Sequence, residues 1–211
     1  MASDTVEDLK RLLRNKFPQA HSRPLLNDAP PEITFRFSDP LSFPAGGISE
    51  IVPEGPEPIL GLVLANLLGE PMATSEIPDF ILVDGDGFDP NSFSNEACSR
   101  LMWVRCGTAI ELLKSADLLI RDGNIPFVML DTCGFSAHEL RALPSSAWWR
   151  LKQMTERHGS RLLVLSSFPL IPCATLRLSL SSRLTLADFD RLRGDLLGEI
   201  HVRSQRLRHA T

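Results

Sequence analysis

The chain has 211 residues and a mass of 23.4 kDa, which gives room for one domain of ordinary size with an appended arm. Hydrophobic residues make up 43% and charged residues 23%, so a core can be buried and broad disorder is excluded. Twenty-two basic residues against 26 acidic ones leave a net charge of −4, which excludes a global basic field for nucleic acid. The longest strongly apolar stretch, 59–68, contains Asn66 and falls well short of the roughly 20 residues that span a bilayer. The N-terminus, MASDTVEDLKRLL, is charged from Asp4 onward and has no apolar core, so no secretory leader is expected. Cys98, Cys106, Cys133 and Cys173 are scattered and never form CxxC. That usage reads as reduced thiols in a cytoplasmic protein, with no disulfide framework and no zinc knuckle.

The first predicted element is an amphipathic helix over 4–17. Val6, Leu9, Leu12, Leu13 and Phe17 recur at helical spacing, with Thr5 as N-cap. Its acids come early and its bases late, the order the helix dipole favours. Such a stripe has to dock, either on its own domain or on a neighbouring protomer or partner, so these five residues are partner-binding candidates. Nine of the 16 prolines fall before residue 60, and 18–45 reads as a Pro-rich linker.

From residue 46 to 208 strands alternate with helices. A strand over 48–52 follows Gly46-Gly47, and a helix starts at Glu57-Pro58 and runs to about Leu68, where Gly69 stops it. FILVD (80–84) is a buried strand, and 101–104 is a short one. A helix over 108–121 carries Ile110, Leu113, Ala116 and Ile120 on one face, with Gly123 as stop. PFVMLD (126–131) is the next strand. Ser136 and Glu139 form a capping box, Pro144 interrupts that helix, and a second helix covers 145–158 up to Gly159. RLLVLSS (161–167) is again a buried strand, and 176–180 and 200–207 are final strands, adjacent and antiparallel. Short apolar strands joined by helices imply an α/β fold with a mostly parallel sheet covered on both faces.

The ordered set of pieces resembles the RecA-like core of recombinases and related P-loop ATPases. Gly47-Ile-Ser-Glu-Ile-Val52 is similar to the strand before that family's phosphate loop. Val83-Asp-Gly-Asp-Gly-Phe-Asp-Pro90 is similar to the strand ending in D-A-E-x-x-x-D-P, and Phe127-Val-Met-Leu-Asp131 to a Walker B strand. The short N-terminal helix and Pro-rich joint resemble the divergent ImuA (SulA-like) accessory type of bacterial mutagenesis cassettes. The resemblance implies a role in the DNA-damage response and translesion synthesis. The implied partners are polymerase-type or RecA-type proteins, with a homo-oligomer as a further option.

A phosphate loop needs G-x-x-x-x-G-K-[ST], whose backbone N–H groups and lysine cradle the phosphates while the hydroxyl holds Mg²⁺. The matching run here is Pro53-Glu-Gly-Pro-Glu-Pro-Ile-Leu60. Pro58 stands at the glycine position, Ile59 at the lysine and Leu60 at the hydroxyl. Three prolines cannot donate, and Glu54 and Glu57 add repulsion. Each lost charge-assisted contact costs about 1.5–3 kcal/mol. Asp86 is the remnant of the catalytic carboxylate and Asp131 of the Walker B acid. The expectation is a non-catalytic protein without a cofactor, acting by protein–protein contact.

Three rival readings stay open at this point. Residual nucleotide hydrolysis is one, and a cell-division inhibitor, suggested by the SulA-like label, is another. The third is a metal-dependent phosphohydrolase, because Asp84-Gly-Asp86-Gly resembles the D-x-D-G nucleophile loop of haloacid-dehalogenase-type phosphatases, with Ser166 or Ser167 binding phosphate. The plain alternative to that reading is a turn. Cys133 and His138 match a thiol–base pair only in composition, since no third orienting group follows. Trp148 and Trp149 point about 100° apart on a helix, so one belongs to the core and the other packs on a neighbour or anchors a partner. Residues 191–211 carry a net +3 against −7 for the rest. Arg203, Arg206 and Arg208 are therefore possible DNA contacts, or else the charges of a solvated edge strand.

Overall fold

The computed structural model describes residues 34–36, 40–55, 59–69, 80–99, 101–123 and 127–207. The predicted 4–17 helix, Pro58 and Arg208 lie outside them. Part of the segment read as linker is strand. Thr34–Arg36 (β1) and Pro40–Ser42 (β2) pair as an antiparallel ribbon. Pro40 sits at the first position of its strand, where a missing N–H is tolerated. Phe43, just after, is buried in the core.

The main sheet has seven strands in the order β5-β4-β6-β7-β3-β8-β9. They are Gly47–Pro53 (β3), Phe80–Asp84 (β4), Leu101–Arg105 (β5), Phe127–Asp131 (β6), Arg161–Leu165 (β7), Leu176–Ser181 (β8) and His201–Arg206 (β9). Every neighbouring pair is parallel except β8 with β9, which is antiparallel. The protein is thus α/β, with a mostly parallel sheet flanked by helices and a late antiparallel pair. β7 stops at Leu165, two residues short of the predicted end, because the chain bends there and the Ser166 hydroxyl donates to the Phe168 carbonyl.

Central strands alternate between two cores. On β6, Phe127 and Met129 enter one core while Val128 and Leu130 enter the other. On β7, Leu163 and Leu165 face the first and Leu162 and Val164 the second. All eight are fully buried or nearly so, and each buried side chain contributes about 1.5–3 kcal/mol.

The first core is covered by α1 (Ile59–Gly69), whose buried positions Ile59 and 62–68 make it apolar nearly all round. Two short helices, α2 (Asn95–Ser99) and α6 (Arg193–Leu197), stand beside α1. The second core is covered by α3 (Ala109–Asp122) and α5 (Ser145–His158), which pack on one another. Thr108 caps α3 by accepting from Glu111 N at 3.2 Å, and Gly123 ends it at φ 73°. Its buried stripe is Ala109, Leu112, Leu113, Ala116 and Ile120. Ile110, predicted to be on that face, is 49% exposed, because the stripe starts one residue earlier and one residue turns the helix by about 100°.

The capping box forms as expected at α4 (Ala137–Arg141), between Ser136 and Glu139. Pro144 precedes α5, and Gly159 ends it. Trp148 is core; Trp149 is surface, with the Lys152 ammonium 5.4 Å from its ring centre. Among the described residues no helix is long and apolar enough to cross a membrane.

Candidate functional site

In open α/β sheets ligands bind beyond the carboxyl ends of the strands. Here that edge gathers Glu54 after β3, Asp84 on β4, Arg105 on β5, Asp131 on β6 and Ser166 after β7. Asp84 and Asp131 are register partners on adjacent parallel strands.

Beyond β3 the structure places apolar groups where a phosphate cradle would need a cation and a hydroxyl. Ile59 opens α1 and is buried in the first core, with Leu60 packed against the same core. Glu54 donates its backbone N–H to Leu180 O at 2.7 Å, and its carboxylate meets Arg203 of β9 at 3.5 Å. One of the possible DNA-contact arginines therefore has an acidic neighbour. Arg206 is exposed on the edge strand β9.

Asp84 is buried, and both its oxygens are occupied. Oδ2 accepts Phe88 N at 2.7 Å, and Oδ1 accepts the Trp103 indole N–H at 2.7 Å. This carboxylate holds its own turn closed and ties β4 to β5. Both oxygens are thus engaged by the protein's own donors, whereas the nucleophile of a phosphatase faces its substrate. Asp86 sits at φ 73°, the one described non-glycine residue with positive φ, in a conformation Asp tolerates in turns. It points to solvent and pairs with Arg105 at 3.2 Å, whose guanidinium also lies over the Trp103 ring.

Asp131 Oδ1 accepts Cys133 N at 2.9 Å. Burial pushes its pKa up against the pull of the Cys133 hydrogen bonds, and the charge of Asp84 adds to the rise. The Cys133 thiol is pushed up too, by loss of solvent around the sulfur and by Asp131. A raised thiol pKa is the reverse of what a nucleophilic cysteine needs. The Ser166 hydroxyl is spent on Phe168 O, while Ser167 is exposed.

The loops after β4 and β6 close on each other. A Cβ at Gly85 would lie 2.8 Å from Phe135 Cζ, and a Cβ at Gly134 would lie 2.8 Å from Gly85 O. The Phe135 ring thus lies on the Gly85 backbone, and Gly134 lies against its carbonyl. Both glycines are there because the approach leaves no room for a side chain. The two strands thus bring Asp84, the candidate nucleophile, beside Asp131, the acid read as a Walker B remnant. Asp86 stays outside that pair. Among the described residues no three His, Cys, Asp or Glu side chains gather closely enough to hold a metal.

No protein-family model and no curated protein matches the sequence. A solved structure with a similar fold is the RadB recombinase. The TM-score is 0.47 at 18% identity, covering 68% of this chain and 78% of that one.

The sequence reading missed a buried carboxylate. Glu50 of β3 is fully buried and accepts Leu170 N at 2.6 Å, Ile171 N at 3.0 Å and Arg177 Nε at 2.7 Å. Arg177 also donates to Ile171 O at 2.9 Å. This network pins the loop after β7 to the sheet. The available signal was one acid inside the apolar run GISEIV and one base inside LRLSL. The two are register partners on β3 and β8.

Proposed function

We propose that the chain is a non-catalytic RecA-like accessory protein of the DNA-damage response that acts by binding other proteins, in a system of the translesion-synthesis kind. The observation that carries the non-catalytic part is the closed edge of β4 and β6. Phe135 covers Gly85, Asp84 is engaged on both oxygens by Phe88 N and Trp103 Nε1, and Asp131 is turned to Cys133 N. Ile59 in the core and Leu60 packed against it add to the case against a phosphate cradle. The placement in a damage-tolerance system, and a polymerase-type or RecA-type partner, rest on the sequence resemblance. The partner surface on this reading includes the apolar stripe Val6, Leu9, Leu12, Leu13 and Phe17.

The test is affinity recovery from cells with and without DNA damage. It uses the full chain and a variant with Leu9→Asp and Leu13→Asp. The reading predicts that a polymerase-type or recombinase-type protein comes down with the full chain and is depleted with the variant. Recovery of no replication or repair protein by the full chain contradicts it. The phosphohydrolase reading predicts phosphate release that Asp84→Asn abolishes, and the engagement of Asp84 with its own turn and Trp103 favours no such activity.

A further inference from the structure

The α3–α5 face carries a groove of about 380 Å³ lined by Ile110, Leu113, Lys114, Pro144, Ser146, Ala147 and Arg150. Its floor is apolar, with Leu113 buried and Ala147 half-buried. Ile110 on its wall is 49% exposed, and Leu118, two turns further along α3, is 67% exposed. Helical residues at 110, 114 and 118 lie in one row. The row therefore reads apolar, cationic, apolar, over about 12 Å at 1.5 Å per residue.

The lining holds two cations, Lys114 and Arg150, and no acid. Arg150 and Arg121 converge on a single carboxylate, Asp117, at 3.2 and 2.6 Å. That carboxylate is itself buried between the helices. The nearby Glu111 is turned away to accept Gly107 N at 2.9 Å, and Asp122 ends the same row one turn beyond Leu118. The lining itself is thus cationic on a chain of net −4, with the acids set outside it. A phosphate backbone would use the cations but gain nothing from Ile110 and Leu118. An acidic amphipathic helix uses both.

We infer that the α3–α5 groove is a docking site for an acidic amphipathic helical segment of a partner protein. Two aliphatic anchors of that segment, about two turns apart, would lie on Ile110 and Leu118, with carboxylates facing Lys114 and Arg150. Such helix-in-groove recognition takes its affinity from the anchors, while the charges set choice of partner and on-rate. The inference shares no residue with the closed strand ends and does not rest on the reading of them.

The test uses the full chain and three labelled probes in a fluorescence-anisotropy titration at about 50 mM salt, where surface charges are weakly screened. The probes are a helical peptide with Leu at i, i+4 and i+7 and Glu elsewhere, the same peptide with Lys for Glu, and a short DNA duplex. The expected result is saturable binding of the Glu peptide at least tenfold tighter than the Lys peptide. Ile110→Asp, Leu118→Asp and Lys114→Glu should each weaken it at least fivefold, and Leu192→Asp, a distant exposed control, should change it less than twofold. The three substituted side chains are exposed, Ile110 and Lys114 on the groove and Leu118 beyond it on the same row, and unchanged thermal midpoints confirm that the variants fold. Equal binding of the two peptides, insensitivity to all three substitutions, or preferential binding of the duplex at this face overturns the proposal.

Discussion

Glu50 and Asp131 are both acids set in the same sheet, and they are treated differently. Glu50 receives a guanidinium and two backbone N–H groups, so its charge is matched where it is formed. Asp131 receives one backbone N–H, with a second carboxylate nearby and a pKa pushed up by burial. Glu50 is therefore a structural tie between β3, β8 and the loop after β7. Asp131 is a strand-end carboxylate held by its own loop. A carboxylate at a strand end is not evidence of chemistry until its lone pairs have been traced.

The largest expected effect tests the Glu50 half of this comparison. Arg177→Leu strands a buried charge and should lower stability by about 3–5 kcal/mol in urea unfolding. The double variant with Glu50→Leu should recover a large part of that loss, because no charge is left unpaired. If the single variant loses nothing, the network is not the tie described here.

Next comes the closed edge. Gly134→Ala drives a Cβ to 2.8 Å from a backbone oxygen, and should cost about 1–3 kcal/mol by overpacking. Gly85→Ala meets the tip of the Phe135 side chain, which can yield, and should cost less. The reverse order in thermal midpoints would mean that the two loops do not touch as described. A smaller loss, about 1 kcal/mol, is expected for Ser136→Ala, which removes the α4 cap without touching either acid.

The smallest effect has the opposite sign. Asp131 has a folded pKa above its unfolded one, so its ionised form opposes folding at neutral pH. That penalty fades as pH falls through the folded pKa and is gone below the unfolded value of about 3.9. Asp131→Asn should therefore be more stable than the parent at pH 7, with the gain vanishing near pH 4. A loss of stability at pH 7 would show that the carboxylate is satisfied after all.

The legible parts of the fold were those written in local runs. The spans of β4 and α5 and the Ser136–Glu139 box come straight from contiguous apolar stretches and punctuating Gly or Pro. The β1–β2 ribbon was hidden by proline density, and the α3 face was off by one residue because Ala109 is a weak apolar signal. At the candidate site, Ile59 and Leu60 were singled out through the resemblance, and the structure sets the one in the first core and the other against it. The Glu50–Arg177 pair spans 127 positions and the Gly85–Phe135 contact joins two separate loops, so neither pairing can be read from a local run. The same holds for Trp103 reaching Asp84, which turned a candidate nucleophile into a fastener.

The central proposal is that the carboxyl edge of the sheet takes no nucleotide. Isothermal titration of the full chain with Mg²⁺-ATP tests it directly. No saturable heat is expected up to about 1 mM nucleotide, where even a weak site of about −4 kcal/mol would begin to fill. Saturable micromolar binding that Asp131→Asn abolishes would contradict the claim.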